Sequence, residues 1–295
     1  MTNVLYLSIL ALAAADAADE GPRGVHRDIA YSDAGGARTR LDVYSGRGGK
    51  DRACIVWIHG GAWEFGSKAL VGAKPGAFNE RGYLFLSVEY RLHPAVSYRE
   101  QAGDIAAAVR WARDHAAEYG GDPRRIYLMG HSAGAHLAAL VATDGRYLRK
   151  AGLRLKDLSG VILLDGAGYD IPRQIRSAGR SPRLRALYLD VFGDDPARQA
   201  DASPIEHVAA GKGIPPFLIL HVADRPDSRM QSLSLAERLR ASGVPAEVIP
   251  AEGKTHMTIN RELGRAGDPP TDAVFAFLRV RDGRRSARGS ESLKP

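Results

Sequence analysis

Gly130-His131-Ser132-Ala133-Gly134 lies between an apolar run at 126–129 and a small-residue stretch at 136–140. This G-x-S-x-G reads as strand, sharp turn and helix. Such a turn presents the serine hydroxyl at the N-terminus of the helix. It also brings backbone segments closer together than side chains allow, so glycine flanks the turn on both sides. A chain built around it needs a buried strand feeding a helix, which points to an α/β sheet.

The surrounding pattern agrees. Runs at 54–58, 84–88, 126–129, 161–164 and 217–221 are short and almost continuously apolar. Strands buried on both faces of a parallel sheet look like this. Residues 40–44 alternate with period two, as expected of an antiparallel edge strand. Between the runs, Ile105, Ala108, Val109 and Ala112 recur at helical spacing, as do Leu235, Ala236 and Leu239. The alternation predicts a mostly parallel sheet with helices on both faces, in one domain over 25–280. One stretch, 169–201, breaks it with several arginines and Pro172, Pro182 and Pro196. It follows a strand, so it sits at the carboxyl edge of the sheet, where ligands bind in open α/β folds. We read it as a small cap.

The 295 residues suffice for a large core without disulfide or metal staples. A single cysteine, Cys54, excludes an internal disulfide and a multi-cysteine zinc site, and its apolar run makes it a core residue. The formal net charge is +7, but 279–295 holds six basic residues against two acidic ones. Residues 281–295 are therefore expected to form a basic disordered tail, and no nucleic-acid partner is inferred. Residues 4–15 are apolar and lead into Ala15-Asp16-Ala17. Residues 1–17 thus read as a secretory signal peptide, which implies a secreted or periplasmic protein. The n-region lacks Lys and Arg, so a docking N-terminal helix on a cytoplasmic protein is the alternative. The apolar run is too short to span a bilayer.

A serine at such a turn needs a base, an orienting acid and oxyanion donors, with the order Ser, acid, His along the chain. His256, in the loop after the strand at 246–249, is the only histidine beyond His221 and is the expected base. The acid is expected after the strand at 217–221, where Asp224 lies nearest the strand end and Asp227 is the substitute. The run at 54–58 leads directly into His59-Gly60-Gly61-Ala62-Trp63. There the Gly61 and Ala62 N–H groups, joined by that of Ala133, are the expected oxyanion donors. Each such donor is worth about 2.7–4 kcal/mol in the transition state. His59 is expected to brace this loop, and Trp63 and Phe65 to wall the acyl pocket. The remaining histidines show no metal-ligand spacing, so neither metal nor cofactor is expected.

These segments resemble the α/β-hydrolase superfamily, in the esterase branch with an H-G-G-x-W oxyanion loop. That branch includes hormone-sensitive-lipase-like carboxylesterases, bacterial feruloyl-esterase-like proteins and arylformamidases. The resemblance runs from about residue 41 to about residue 278. It rests on His59-Gly60-Gly61-Ala62-Trp63, Glu89-Tyr90-Arg91-Leu92, Tyr119-Gly120-Gly121-Asp122-Pro123 and the serine turn. It implies a carboxylesterase acting on small or medium acyl or aryl esters. Residues 224–232 resemble the acid loop of arylformamidases, whose first Asp is catalytic. This favours Asp224 and makes an arylformamidase-type amide hydrolase the second reading. A catalytically silent binding module is the third, set aside because all three triad residue types are present. Two departures stand out: Ala62 replaces the third glycine of the hormone-sensitive-lipase loop, and Arg225-Pro226 makes the acid loop unexpectedly basic.

Overall fold

The computed structural model describes residues 24–46, 49–178 and 181–291. The N-terminal segment 1–17 lies outside the described residues. Eight strands form one sheet: β1 (Gly24–Ala30), β2 (Arg40–Gly46), β3 (Arg52–Ile58), β4 (Leu84–Val88), β5 (Gly121–His131), β6 (Leu158–Leu164), β7 (Phe217–Val222) and β8 (Ala246–Ala251). Their order is β1-β2-β4-β3-β5-β6-β7-β8. β1 and β2 pair antiparallel, as do β2 and β4, and every pairing from β4 through to β8 is parallel. The alternating segment at 40–44 is therefore not the edge. β1, whose pattern is mostly exposed, covers it and leaves Leu41 and Val43 fully buried.

The continuous apolar runs become strands because both faces of the sheet are covered. Val56 and Ile58 of β3 join a core with α2 (Tyr98–His115) and α3 (Ala133–Thr143). Ile55 and Trp57 face the opposite core with α1 (Lys74–Glu80) and α10 (Pro269–Glu291). α2 starts at a capping box, with Ser97 and Glu100 satisfying each other's backbone N–H groups. Burial pushes the Cys54 thiol up to about 12, as befits a core residue.

Where a tail was expected from residue 281, helix α10 continues to Glu291, and residues 292–295 lie outside the described residues. Val274, Phe275 and Leu278 anchor it in the core, and Tyr127 donates to Asp282 at 2.9 Å. Among the described residues, no helix is long and apolar enough to cross a membrane.

α4 (Gly145–Lys150) precedes β6 and α9 (Thr258–Arg261) follows β8, and between β6 and β7 the chain forms α5 (Ile171–Ser177), α6 (Pro182–Phe192) and α7 (Pro196–Asp201). Asp170 caps α5 and Asp195 caps α7, and proline opens the first turn of all three helices. α6 turns Tyr188, Val191 and Phe192 inward toward the sheet's carboxyl edge. The prolines that interrupt the apolar pattern are helix starts rather than breaks.

Lys74, at the start of α1, is almost fully buried. Its ammonium lies 4.5 Å from the Trp57 ring centroid and donates to the Asn260 carbonyl at 2.8 Å. Burial brings its pKa down from 10.5 to about 7. Between these values the unfolded chain holds a proton that the folded chain releases, so wild-type stability rises with pH across that window. In Lys74→Met this rise is expected to be lost. Stability relative to wild type is then most favourable at or below pH 7 and declines toward pH 10, as read from urea unfolding at several pH values.

Candidate active site

β5 ends at His131 and α3 begins at Ala133, leaving Ser132 at the apex with φ of 55°. A non-glycine residue in that region is strained, and such strain clusters at functional sites. The turn closes only because of its glycines. A Cβ on Gly130 would meet the Gly134 carbonyl oxygen at 2.3 Å, and one on Gly134 would meet that of Ile58 at 2.2 Å.

Ser132 Oγ lies 3.0 Å from His256 Nε2. His256 Nδ1 lies 2.6 Å from Asp165 Oδ2. The acid at the histidine is therefore Asp165, at the end of β6, and neither Asp224 nor Asp227 after β7. The turn after β7, in which Arg225 N–H donates to the Val222 carbonyl, leaves Asp224 exposed and brings Arg225 inward. Asp227, inside the first turn of α8 (Pro226–Ala241), accepts from Arg225 Nη2 at 3.1 Å. Asp165 is strained as well, with φ of 48°, and its side chain is fully buried. Its Oδ1 accepts from Val222 N–H at 3.0 Å, and its Oδ2 also takes the Arg225 guanidinium. Burial alone would raise the carboxyl pKa. The His256 hydrogen bond and the Arg225 charge, helped by Ser228 and Val222, outweigh burial and hold it well below the usual carboxylate range.

Asp165 left one trace in the sequence. An aspartate directly abutting a buried apolar run needs partners, because an unpaired buried carboxylate is costly. The Ser–acid–His order admits either strand end, and the family resemblance pointed to the later one.

His256 is held from behind. His131 donates Nε2–H to the His256 carbonyl at 2.8 Å, and its ring lies 4.6 Å from the His256 ring. Burial, aided by the neighbouring His256, pushes the His131 pKa down to about 3, so it is a neutral brace.

The loop after β3 has three consecutive positive-φ residues, Gly61 (126°), Ala62 (54°) and Trp63 (64°). The Gly61 carbonyl accepts from Glu64 and Phe65 N–H groups, which closes the turn. The N–H groups of Gly61, Ala62 and Ala133 have no acceptor among the described residues. A Cβ placed on Gly60 would stand 3.1 Å from that of Ser132, so this loop abuts the serine. His59 braces the loop, bonding the Gly60 carbonyl at 2.7 Å and Glu89 at 3.2 Å while stacking on Tyr90 at 4.3 Å.

Trp63 is buried rather than lining an open pocket. Its Nε1–H donates to His136 Nδ1 at 3.0 Å, and its ring meets Tyr188 at 5.4 Å and Phe192 at 4.9 Å. His136 in turn donates to the Ala202 carbonyl at 2.8 Å, and burial holds its pKa down at about 4. Phe65 is 67% exposed. A groove of about 650 Å³ opens beside the loop after β7, lined in part by Arg173, Asp224 and Arg229, and neither Ser132 nor His256 borders it. Glu64, His93 and Asp190 form a mixed group whose donor atoms lie within 4.8 Å of one another. His93 already bonds Asp190 at 2.8 Å, tying α6 to the segment after β4.

This strand order, with a serine at the β5–α3 elbow and its histidine after β8, defines an α/β-hydrolase. The chain belongs to the BD-FAE family, whose model matches residues 41–239. It is 31% identical over 247 residues to a probable isoprenylcysteine alpha-carbonyl methylesterase of Arabidopsis thaliana, covering 79% of this chain and 51% of that protein. It is 32% identical over 240 residues to esterase LipC of Mycobacterium tuberculosis, covering 78% of this chain and 58% of that one. The chain thus spans about half the length of these relatives. Esterase B of Lactobacillus rhamnosis, solved with an inhibitor, has a TM-score of 0.75 at 22% identity, covering 94% of this chain and 93% of that one. Esterase 2 of Thermogutta terrifontis in its apo form has a TM-score of 0.64 at 26% identity, covering 90% and 95%.

The geometry ranks the two candidate acids. Asp165→Asn is expected to slow phosphonylation of Ser132 by an organophosphonate roughly 10³–10⁴-fold, the scale seen when a serine triad loses its orienting acid. Asp224→Asn is expected to leave that rate within about twofold. Labelling time courses on both variants decide it, and the opposite ranking would return the acid's role to the loop after β7.

Proposed function

We propose that this chain hydrolyses carboxylic esters of small to medium acyl or aryl substrates through an acyl-enzyme on Ser132. The continuous Ser132–His256–Asp165 chain beside three unpaired N–H groups carries this reading. His256 Nε2 takes the hydroxyl proton as Ser132 Oγ attacks the ester carbonyl. The Gly61, Ala62 and Ala133 N–H groups receive the oxyanion, adding to the favourable field at the N-terminus of α3. Asp165 fixes the His256 tautomer and offsets the charge of its protonated form. His256 then gives the proton to the departing alkoxide, the alcohol leaves, and water repeats the sequence on the acyl-enzyme.

The relatives' names, a probable methylesterase and an esterase, support ester chemistry. The second reading, formamide hydrolysis, drew on the loop at 224–232 delivering the acid. With Asp224 exposed and Arg225 turned inward, that support falls away.

A panel of p-nitrophenyl esters of increasing chain length tests the proposal. It is extended with phenyl acetate, methyl ferulate, an S-prenylcysteine methyl ester and N-formylkynurenine. Turnover of at least one ester is expected, with Ser132→Ala reducing it by about 10⁵–10⁶-fold. Activity surviving in Ser132→Ala would sink the mechanism, and preference for N-formylkynurenine over every ester would restore the amide reading.

A further inference from the structure

Arg225 stands where the sequence led us to expect the acid. Its Nη1 contacts Asp165 Oδ2 and lies 2.6 Å from His256 Nδ1. These two atoms are themselves 2.6 Å apart, so three polar atoms form one tight triangle. A guanidinium has donors only. His256 Nε2 must accept the serine proton, which puts the hydrogen on Nδ1. Nη1 and Nδ1 are then both donors, and both point at the single acceptor Oδ2. The other carboxylate oxygen is taken by Val222 N–H. The contact between Arg225 and His256 is donor against donor, offset by the Asp165 carboxylate oxygen that both face.

Arg225 is not free to leave. Asp227 holds its second amino group at 3.1 Å, and its side chain is 28% exposed. Burial lowers the guanidinium's proton affinity, but Asp165 and Asp227 more than offset this, so it stays charged. The acid itself directly follows β6, in a strained backbone conformation, and meets His256 across the end of β7. Its Oδ1 is fixed by the Val222 N–H, and on the His256 side the other donor at Oδ2 is Arg225.

We propose that Arg225 is a positioning residue that clamps Asp165 onto His256 Nδ1, doing from the β7 loop what an acid on that loop would have done directly. It touches no substrate and acts through Asp165 and His256. The proposal rests on the ester-hydrolase reading for its kinetic test, and a second measurement is independent of that reading.

The kinetic test uses Arg225→Ala and Arg225→Lys on the best ester of the panel. Arg225→Ala is expected to lower kcat about tenfold to a hundredfold, the scale of a misplaced catalytic group, with KM within about twofold. Arg225→Lys, which restores one charged donor, is expected to fall between this variant and wild type. Added guanidinium or methylguanidinium is expected to recover part of the Arg225→Ala loss, and an equal concentration of sodium ion is not. An unchanged kcat in Arg225→Ala overturns the clamp. So does a loss residing in KM, which would make Arg225 a substrate contact, and so does a folded variant that guanidinium does not rescue. Should Arg225→Ala fail to fold, Asp227→Asn is used; it loosens the clamp from its far end and is expected to lower kcat by a few-fold without moving KM.

The independent measurement needs no substrate. The low-field proton resonance of His256 Nδ1–H, assigned by its loss in His256→Gln, is expected to shift in Arg225→Lys and to shift or broaden in Arg225→Ala. A resonance identical to wild type in the folded variants overturns the proposal. A panel without turnover, with this resonance shifting as described, would count against the ester reading and leave the clamp standing.

Discussion

A single buried carboxylate organises this molecule's working end. Asp165 has no solvent to share its charge, so it must collect donors from the structure around it. It finds them on three separate pieces of chain: the end of β7 through Val222, the loop after β7 through Arg225, and the loop after β8 through His256. Each donor lowers the cost of keeping the charge buried, and together they tie neighbouring strand ends to one point. His256 stands beside Ser132 because Asp165 fixes one edge of its ring while His131 fixes its backbone.

The oxyanion side is assembled by different means. There the chain spends strain at Gly61, Ala62 and Trp63 and recovers it through His59, Glu89 and Tyr90. Glu89 also accepts from Arg38 at 2.7 Å and from the Lys68 N–H at 3.2 Å, so one carboxylate holds both ends of the loop. Tyr90 donates its hydroxyl to the His59 carbonyl at 2.9 Å. The motif Glu89-Tyr90-Arg91-Leu92, met in the sequence as a family signature, is thus the buttress of the motif at His59–Trp63.

Much of this was legible because its causes are local. An apolar run of five residues has few fates in a chain of this length, and β4 spans the residues its run marked. The serine turn announces itself through glycines that no other residue could replace, and His256 stood alone in the C-terminal part of the chain. The acid was misread for a physical reason. Asp165 and Asp224 both follow strands whose ends lie side by side at the same edge of the sheet. Which of them faces the histidine depends on a turn of the chain at Val222–Arg225, and one residue of rotation there exchanges an aspartate for an arginine. Strand β1 was missed because its residues are mostly exposed, and the end of α10 because a helix anchored by its first half needs no apolar stripe in its second.

Trp63 deserves to be followed further. It belongs to the strained oxyanion loop by its backbone and to the cap by its ring, packed among His136, Tyr188 and Phe192. Its carbonyl is pinned as well, by Gln101 at 2.7 Å and by the His93 N–H at 3.0 Å. The cap helix α6 and the loop beside Ser132 therefore share one side chain. In many scaffolds a binding cavity can drift under selection while the chemistry stays fixed. Here a change at Tyr188 or Phe192 reaches the Ala62 N–H through a single rigid indole. Any repacking of α6 against this ring is therefore also a repacking of the loop beside Ser132.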